Sequence, residues 1–385
     1  MIDVILLSVC SVSAFIWLVL LFMPERWRMS ERWESSKNSL TPVYQLPMLS
    51  VIIPARNECA SLPLTLPSWL AQDYPESEVI LIDDESTDGT EECAKSIAAR
   101  SNRTIRIIKG TRPPPGWTGK LWALQQGINV SSGEWLLFTD ADILHCPNLW
   151  HGLVTKALTE QRAMVSLMAH LDTEGMWARL LIPAFIYFFH FMYPFEKVGD
   201  SRSKISAAAG GCVLISRKAL DEIGGIAGHS NALIDDLALA GRIKRAGLPL
   251  SLSLTRSAVS IRPYRWLSDV WNMVARSAFT QLRCSWLALI GTVLGMLILF
   301  VAPMAGICAF IDQTVSPATP IISFGALLLM ASTYIPTIRF FGLGLSKALT
   351  LPLAGTLYMA MTVYSAINHI SGRHVWRGAR GRATQ

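Results

Sequence analysis

Residues 4–23 read VILLSVCSVSAFIWLVLLFM, twenty positions without a charge, about the length an α-helix needs to cross the hydrocarbon core of a bilayer. A cleaved secretory leader starts basic and ends at a small-residue site. Here Asp3 precedes the run, and bulky Phe22, Met23 and Pro24 close it. The pattern predicts an uncleaved anchor over residues 1–24. Arg26, Arg28, Arg32 and Lys37 follow within a basic juxtamembrane linker, residues 25–47, which by the positive-inside rule puts the body of the chain in the cytoplasm.

Three more apolar runs close the chain, at 287–311, 321–338 and 348–367. They predict two or three further spans within 287–368, followed by a basic tail over 369–385. Three spans would carry Arg373, Arg377, Arg380 and Arg382 away from the cytoplasm, against the charge rule, so the third crossing stays open. Residues 176–195 are also apolar but contain Arg179, Pro183 and His190. A crossing there would divide the polar middle of the chain between two compartments, so a helix lying in the membrane interface is expected. In 266–286, Trp266, Val270, Met273 and Val274 recur at helical spacing with Arg276 and Arg283 among the polar positions, a second amphipathic interfacial helix or an ordinary domain helix.

Composition removes several classes. Hydrophobic residues make up 51% of the 385 and charged residues only 16%, against about 25% charged in soluble domains. Seven scattered cysteines without a Cys-x-x-Cys pair fit neither a disulfide scaffold nor the usual zinc spacing. The net charge of +6 is not a nucleic-acid footprint: residues 40–285 hold 24 basic and 23 acidic side chains, while 286–385 hold six and one. A nucleic-acid binder concentrates basic charge on its folded domain.

Between residues 48 and 265 the periodicity alternates. Strand-like runs start at Leu49, Glu78, Thr104, Glu134 and Ala163, separated by helical stretches near 61–72, 89–100, 119–130 and 148–160. Such alternation predicts an α/β domain with a mostly parallel sheet sandwiched by helices, and ligands of such sheets bind beyond the carboxyl ends of the strands. Acidic residues stand at those ends: Asp83 and Asp84 after EVILI, Asp140 and Asp142 after EWLLFT. Two carboxylates one residue apart suit a hard cation, Mg²⁺ or Mn²⁺, held jointly with substrate phosphates. Asp is also a common loop residue after a strand. TRPPPGWTGK, residues 111–120, ends in Lys120 at a helix start, fit to hold a diphosphate or simply to cap the helix. Asp235 and Asp236 open the helix DDLALAGRIKRAG, where acids favour the helix dipole and where one of them could act as a general base.

In combination these residues resemble the family 2 inverting glycosyltransferases of GT-A (Rossmann-like) fold. VIIPARNE, with Pro54, Arg56, Asn57 and Glu58, looks like that family's opening strand and loop, and DDESTDGT from Asp83 like its nucleoside-binding segment. Gly119-Lys120, the Asp140-Ala141-Asp142 triplet, Gly210-Gly211 and Asp235-Asp236 follow in the family's order. The resemblance implies that Asp83, Asp84 and Glu58 contact uridine, with Pro54 and Arg56 beside them and Lys120 near the diphosphate. It further implies Asp140 and Asp142 on the metal and diphosphate, Gly210 and Gly211 on the acceptor side, and Asp236 as the base with Asp235 as its partner. The family's usual Glu-Asp is here Asp-Asp, one methylene shorter at the first position. Arg262, Arg265 and Trp266 are similar to the Arg-x-x-Arg-Trp element of ceramide glucosyltransferases and polysaccharide synthases, where cations stabilise the departing diphosphate. Arg276 and Arg283 are rivals for that role, and arginines before a membrane segment also anchor on lipid headgroups.

The layout of anchor, cytoplasmic domain and C-terminal apolar runs, with GWTGKLWALQQG and IDDLALAGRIKRAG, resembles the hopene-associated glycosyltransferases. It implies a bacterial inner-membrane enzyme that moves a sugar from a nucleotide sugar, expected to be a UDP-sugar, to a hopanoid-like lipid. A polysaccharide synthase or a nucleotidyltransferase on the same sheet is the alternative.

Overall fold

The computed structural model describes residues 2–35, 46–101, 103–311, 315–371, 375–376 and 379–380. Part of the juxtamembrane linker, with Lys37, and most of the basic tail, including Arg373, Arg377 and Arg382, lie outside them. The chain divides into two units, one of residues 1–29, 173–194 and 263–385, the other of residues 30–172 and 195–262.

The second unit is built on an eight-stranded mixed sheet. Its strands are β1 (Leu49–Ala55), β2 (Ser77–Asp83), β3 (Ile105–Lys109), β4 (Trp135–Thr139), β5 (Ile143–His145), β6 (Met164–His170), β7 (Cys212–Ser216) and β8 (Leu250–Ser260). Their order is β3-β2-β1-β4-β7-β6-β8-β5. The half from β3 to β4 is parallel, as the alternating pattern predicts. Beyond β4 the pairing turns mixed, because β7 runs antiparallel to both β4 and β6, and β5 antiparallel to β8. The first half is therefore the expected parallel sheet, and the second is not.

β1 and β4 are apolar along almost their whole length because helices cover both of their faces. Leu49, Val51 and Ile53 pack into a core with Leu62, Leu66 and Trp69 from helix Leu62–Leu70 and with Trp150 and Leu153 from helix Leu149–Thr159. β8 carries the alternating pattern LSLSLTRSAVS yet is buried through most of its length. Residues 31–34 run beside it: Trp33 N–H donates to the Leu254 carbonyl at 2.9 Å and Leu254 N–H to that of Glu31 at 2.8 Å. The Glu34 carboxylate accepts from Arg256 N–H at 2.9 Å and Ser257 Oγ at 2.8 Å. Residues 31–34 of the stretch read as linker are thus stitched to the sheet.

The first unit is helical. Among the described residues, four helices are long and apolar enough to cross a membrane: Asp3–Leu21, Trp286–Ala309, Ala318–Phe340 and Leu345–Ile370. The second contains one wide turn, Leu297–Val301, and such π-turns leave a backbone acceptor less well used within the helix. Ser13 Oγ and Trp17 Nε1 of the first helix both donate to the Leu299 carbonyl at 3.3 Å. Helix Met176–Met192 belongs to this unit. Its Tyr187 hydroxyl bonds Thr333 Oγ1 at 2.9 Å, and its Leu181 carbonyl accepts from the Tyr358 hydroxyl at 3.0 Å. Where spacing predicts one amphipathic helix over 266–286, the chain forms Leu267–Ala275 and the short Ala278–Gln281. It then breaks at Arg283 and Cys284, both left-handed with φ 54° and 53°.

Candidate active site

Beyond the carboxyl ends of β1, β2 and β4, short loops carry polar side chains whose backbones are tightly tied. After β2, Asp84 N–H donates to the Ala55 carbonyl at 2.8 Å and Asp83 Oδ1 accepts from Ser86 N–H at 3.0 Å. Asn57, left-handed at φ 55°, links the loop after β1 to the same turn by accepting from Thr87 N–H at 2.8 Å. Arg56 lies 3.4 Å from Asp84. Burial raises the Asp84 pKa and the arginine works against it. Asp84 Oδ1 is buried without a partner among the described residues, an acceptor left for a donor such as a base or ribose group. Glu58 is also buried, and its carboxylate accepts from Ser61 Oγ at 2.8 Å at the start of helix Leu62–Leu70.

The densest charge lies around Lys120. Thr118 caps helix Gly119–Val130 through its hydroxyl, and Lys120 in the first turn places Nζ 2.9 Å from Asp140 Oδ1 and 3.3 Å from Asp235 Oδ2. Thr118 supplies the cap, and Lys120 faces the carboxylates. Burial disfavours the ammonium, but Asp140, Asp235 and Asp236 outweigh it and raise the Lys120 pKa above its ordinary value. Asp236 Oδ2 accepts from Gly210 N–H at 2.8 Å, and Oδ1 from the N–H of Leu237 at 2.8 Å. Burial and the neighbouring Asp235 charge push the Asp236 pKa up to about 7, against the pull of Lys120. Gly210 lies so close that a Cβ there would stand 3.3 Å from Lys120 Nζ and 3.4 Å from Asp236 Oδ2. Only a residue without a side chain leaves these two groups their present separation.

Asp142 is held from the other side, its carbonyl accepting from Ile261 N–H at 2.9 Å. Burial first and the Asp140 charge second push its pKa up to about 6, while Arg262 pulls it down. Two neighbouring carboxylates that repel one another suit a divalent cation, which relieves the repulsion. No group of three or more acidic, His or Cys ligands converges among the described residues, so such an ion would depend on substrate phosphates for the rest of its shell. Arg265 and Trp266 belong to the helical unit. Trp266 is exposed and its N–H donates to Asp269 Oδ2 at 2.8 Å, starting helix Leu267–Ala275.

Behind the site runs a hydrogen-bond relay that spacing did not reveal. Trp150 Nε1–H donates to His145 Nδ1 at 2.9 Å, which assigns the ring's proton to Nε2, 3.1 Å from Thr139 Oγ1. The Thr139 hydroxyl then donates to the Gly211 carbonyl at 3.0 Å. Burial pushes the His145 pKa down to about 3, the neutral state this tautomer requires. The relay links the loop of Asp140 to that of Gly210. The signal was a histidine five residues beyond the first aspartate, but its partners come from chain segments that only the fold joins.

Residues 50–224 match the family model for glycosyl transferase family 2. The match covers a little under half of the chain. The chain is 29% identical over 236 residues to a 4,4'-diaponeurosporenoate glycosyltransferase of Staphylococcus haemolyticus, covering 56% of each protein. It is 35% identical over 96 residues to a PGL/p-HBAD biosynthesis glycosyltransferase of Mycobacterium bovis, covering 25% of this chain and 36% of that protein. The matches thus span little more than half, and in the second case about a third, of these relatives' own length. In structure the chain resembles a mannosyltransferase of Pyrobaculum calidifontis solved with GDP-Man and Mn²⁺. The TM-score is 0.59 at 18% identity, over 96% of this chain and 99% of that one. The sheet-bearing unit has the GT-A fold, with apolar helices at both ends of the chain long enough to span a membrane.

Proposed function

We propose that the protein is a membrane-bound, inverting glycosyltransferase that moves a sugar from a nucleotide sugar, a UDP-sugar first of all, to a lipid acceptor of hopanoid or related type. The carrying observation is the Lys120 cluster, which sets one cation and three carboxylates from three chain segments around one small cavity. The four apolar helices support a lipid acceptor and an inner-membrane location with the domain in the cytoplasm. A relative named for 4,4'-diaponeurosporenoate supports an apolar acceptor.

In this reading Arg56, Asp83 and Asp84 bind the nucleoside, beside Pro54 and Glu58, and Lys120 takes the diphosphate. Gly210 and Gly211 shape the acceptor side. Asp236 takes the proton from the acceptor hydroxyl as its oxygen bonds the anomeric carbon and the bond to the nucleoside diphosphate breaks on the opposite face. A base with a pKa near 7 suits that transfer at neutral pH. Asp235 holds the Lys120 ammonium, and Arg262 faces Asp142. Asp140 and Asp142 fit Mg²⁺ or Mn²⁺, which when bound supplies Lewis-acid stabilisation of the departing diphosphate.

The test compares lipid extracts, by mass spectrometry, from cells producing the wild type or Asp236→Asn, with nucleotide binding measured on both purified proteins. A lipid heavier by one sugar in the wild type only, with nucleotide binding preserved within a few-fold in the variant, is expected. Retained transfer in Asp236→Asn overturns the base assignment, and a polymer product overturns the lipid acceptor.

A further inference from the structure

A second histidine, His229, sits in the same cavity with its hydrogen bonds unspent. It ends the short turn Ile226–His229 and lines the space bounded by Lys120, Asp140, Gly210, Asp235 and Asp236. Only 7% of the residue is exposed, yet neither ring nitrogen has a hydrogen-bond partner among the described residues. Leaving a buried donor and acceptor unsatisfied is costly, so such a group calls for a ligand or an ordered water.

The turn that carries it is fixed on two sides. Ser230 holds the loop before Lys120, its carbonyl accepting from Thr118 N–H at 2.8 Å and its hydroxyl donating to the Gly116 carbonyl at 2.9 Å. On the other side Arg242 donates to the carbonyls of Ile223 and of Gly228, the latter at 3.2 Å. Gly228 leaves room for that guanidinium, which a Cβ would meet head-on. Backbone ties therefore hold the imidazole, and its two nitrogens stay available. Burial, followed by the Arg242 charge, pushes the His229 pKa down to about 4 against the pull of Asp235. The ring is thus neutral, with one donor and one acceptor. A sugar hydroxyl is also one donor and one acceptor, whereas a phosphate offers only acceptors and would be met better by Lys120.

We infer that His229 reads a hydroxyl of the transferred sugar and so sets which sugar the enzyme accepts. This rests on the glycosyltransferase reading of the site. A site built to bond a hydroxyl rejects the analogue that lacks it, by as much as ~10⁴-fold in favourable cases.

The experiment measures kcat/KM by nucleoside diphosphate release for a panel of UDP-glucose, UDP-N-acetylglucosamine and GDP-mannose. The best donor is then compared with its monodeoxy analogues in the wild type, His229→Leu and His229→Asn. UDP and GDP affinities serve as the check that each variant is folded. We expect the wild type to discriminate against one deoxy position by about 100-fold or more, and His229→Leu to lose that discrimination at that position alone. His229→Asn, which keeps a donor and an acceptor, should recover part of it. Nucleotide affinity should stay within a few-fold in both. Equal discrimination in wild type and His229→Leu refutes this role and leaves the transferase reading standing. A wild type that binds and cleaves no nucleotide sugar refutes both.

Discussion

Replacing Lys120 with methionine removes the one cation that opposes the rise in Asp236 pKa while keeping most of the side chain's length. The point where a Gly210 Cβ would stand is 3.3 Å from Lys120 Nζ and 3.4 Å from Asp236 Oδ2, so the two charges lie within about 7 Å of each other. At an effective dielectric constant of about 20, opposite charges at that distance attract by about 2.4 kcal/mol, equivalent to about 1.7 pH units. Lys120 keeps 23% of its side-chain surface exposed, and solvent screening lowers the expected shift to between about one and 1.7 units. The cation favours the ionised carboxylate, so its loss raises the pKa. A base works only when deprotonated, so kcat/KM should rise with pH through a midpoint near 7 in the wild type and level off above about 8. In Lys120→Met the same limb should move up by that interval. In the proposed mechanism Lys120 also serves the diphosphate, so the variant should be slower throughout, and the midpoint is the informative quantity. Profiles of nucleoside diphosphate release at saturating Mn²⁺ from pH 5 to 10 read it directly. An acid limb that stays in place would show that Asp236 is not the group titrating.

Gly210→Ala puts a methyl group against both Lys120 and Asp236 and should lower kcat/KM by about 10- to 100-fold through misplacement of the base, with little change in thermal stability. His145→Leu leaves Trp150 Nε1 and Thr139 without their partner and should cost about 2–4 kcal/mol in urea unfolding. His145→Gln, with one acceptor and one donor, should regain part of that. Chelation should abolish turnover and added Mn²⁺ restore it. Asp142→Asn should raise the metal concentration for half-maximal rate by about tenfold or more, and an unchanged metal requirement would remove Asp142 from the ion's shell.

The parallel half of the sheet was legible because its strands are apolar runs bounded by turns, and the spans because charge is absent over whole helical lengths. β5, β7 and β8 were not. Three residues cannot show a period, β7 follows a glycine pair with only five, and the Leu-Ser alternation of β8 reads as a half-exposed strand until Trp33 and Glu34 cover it. In the site, Lys120, Asp140, Asp235 and Asp236 were singled out from their places at strand ends and helix starts, and the fold brings them together. His229 carried no such mark, because a single histidine in a glycine-rich turn becomes noticeable only when its surroundings are seen to leave it unpartnered. Glu58 shows the converse: a motif position whose carboxylate is occupied in holding a helix start.

The division of the chain bears on how the protein is made. The polypeptide passes between its two units four times, at residues 29–30, 172–173, 194–195 and 262–263. Trimming both termini therefore leaves helix Met176–Met192 inside the remaining piece, an orphan with an apolar surface that would favour aggregation. A soluble catalytic fragment needs that helix excised as well and Asp172 rejoined to Phe195. During synthesis the order is equally constraining. The ribosome delivers the first apolar helix and then Met176–Met192 before β7, the strand that lies between β4 and β6. The centre of the sheet thus closes only after two apolar helices have emerged, and before the long apolar helices from Trp286 onward are made.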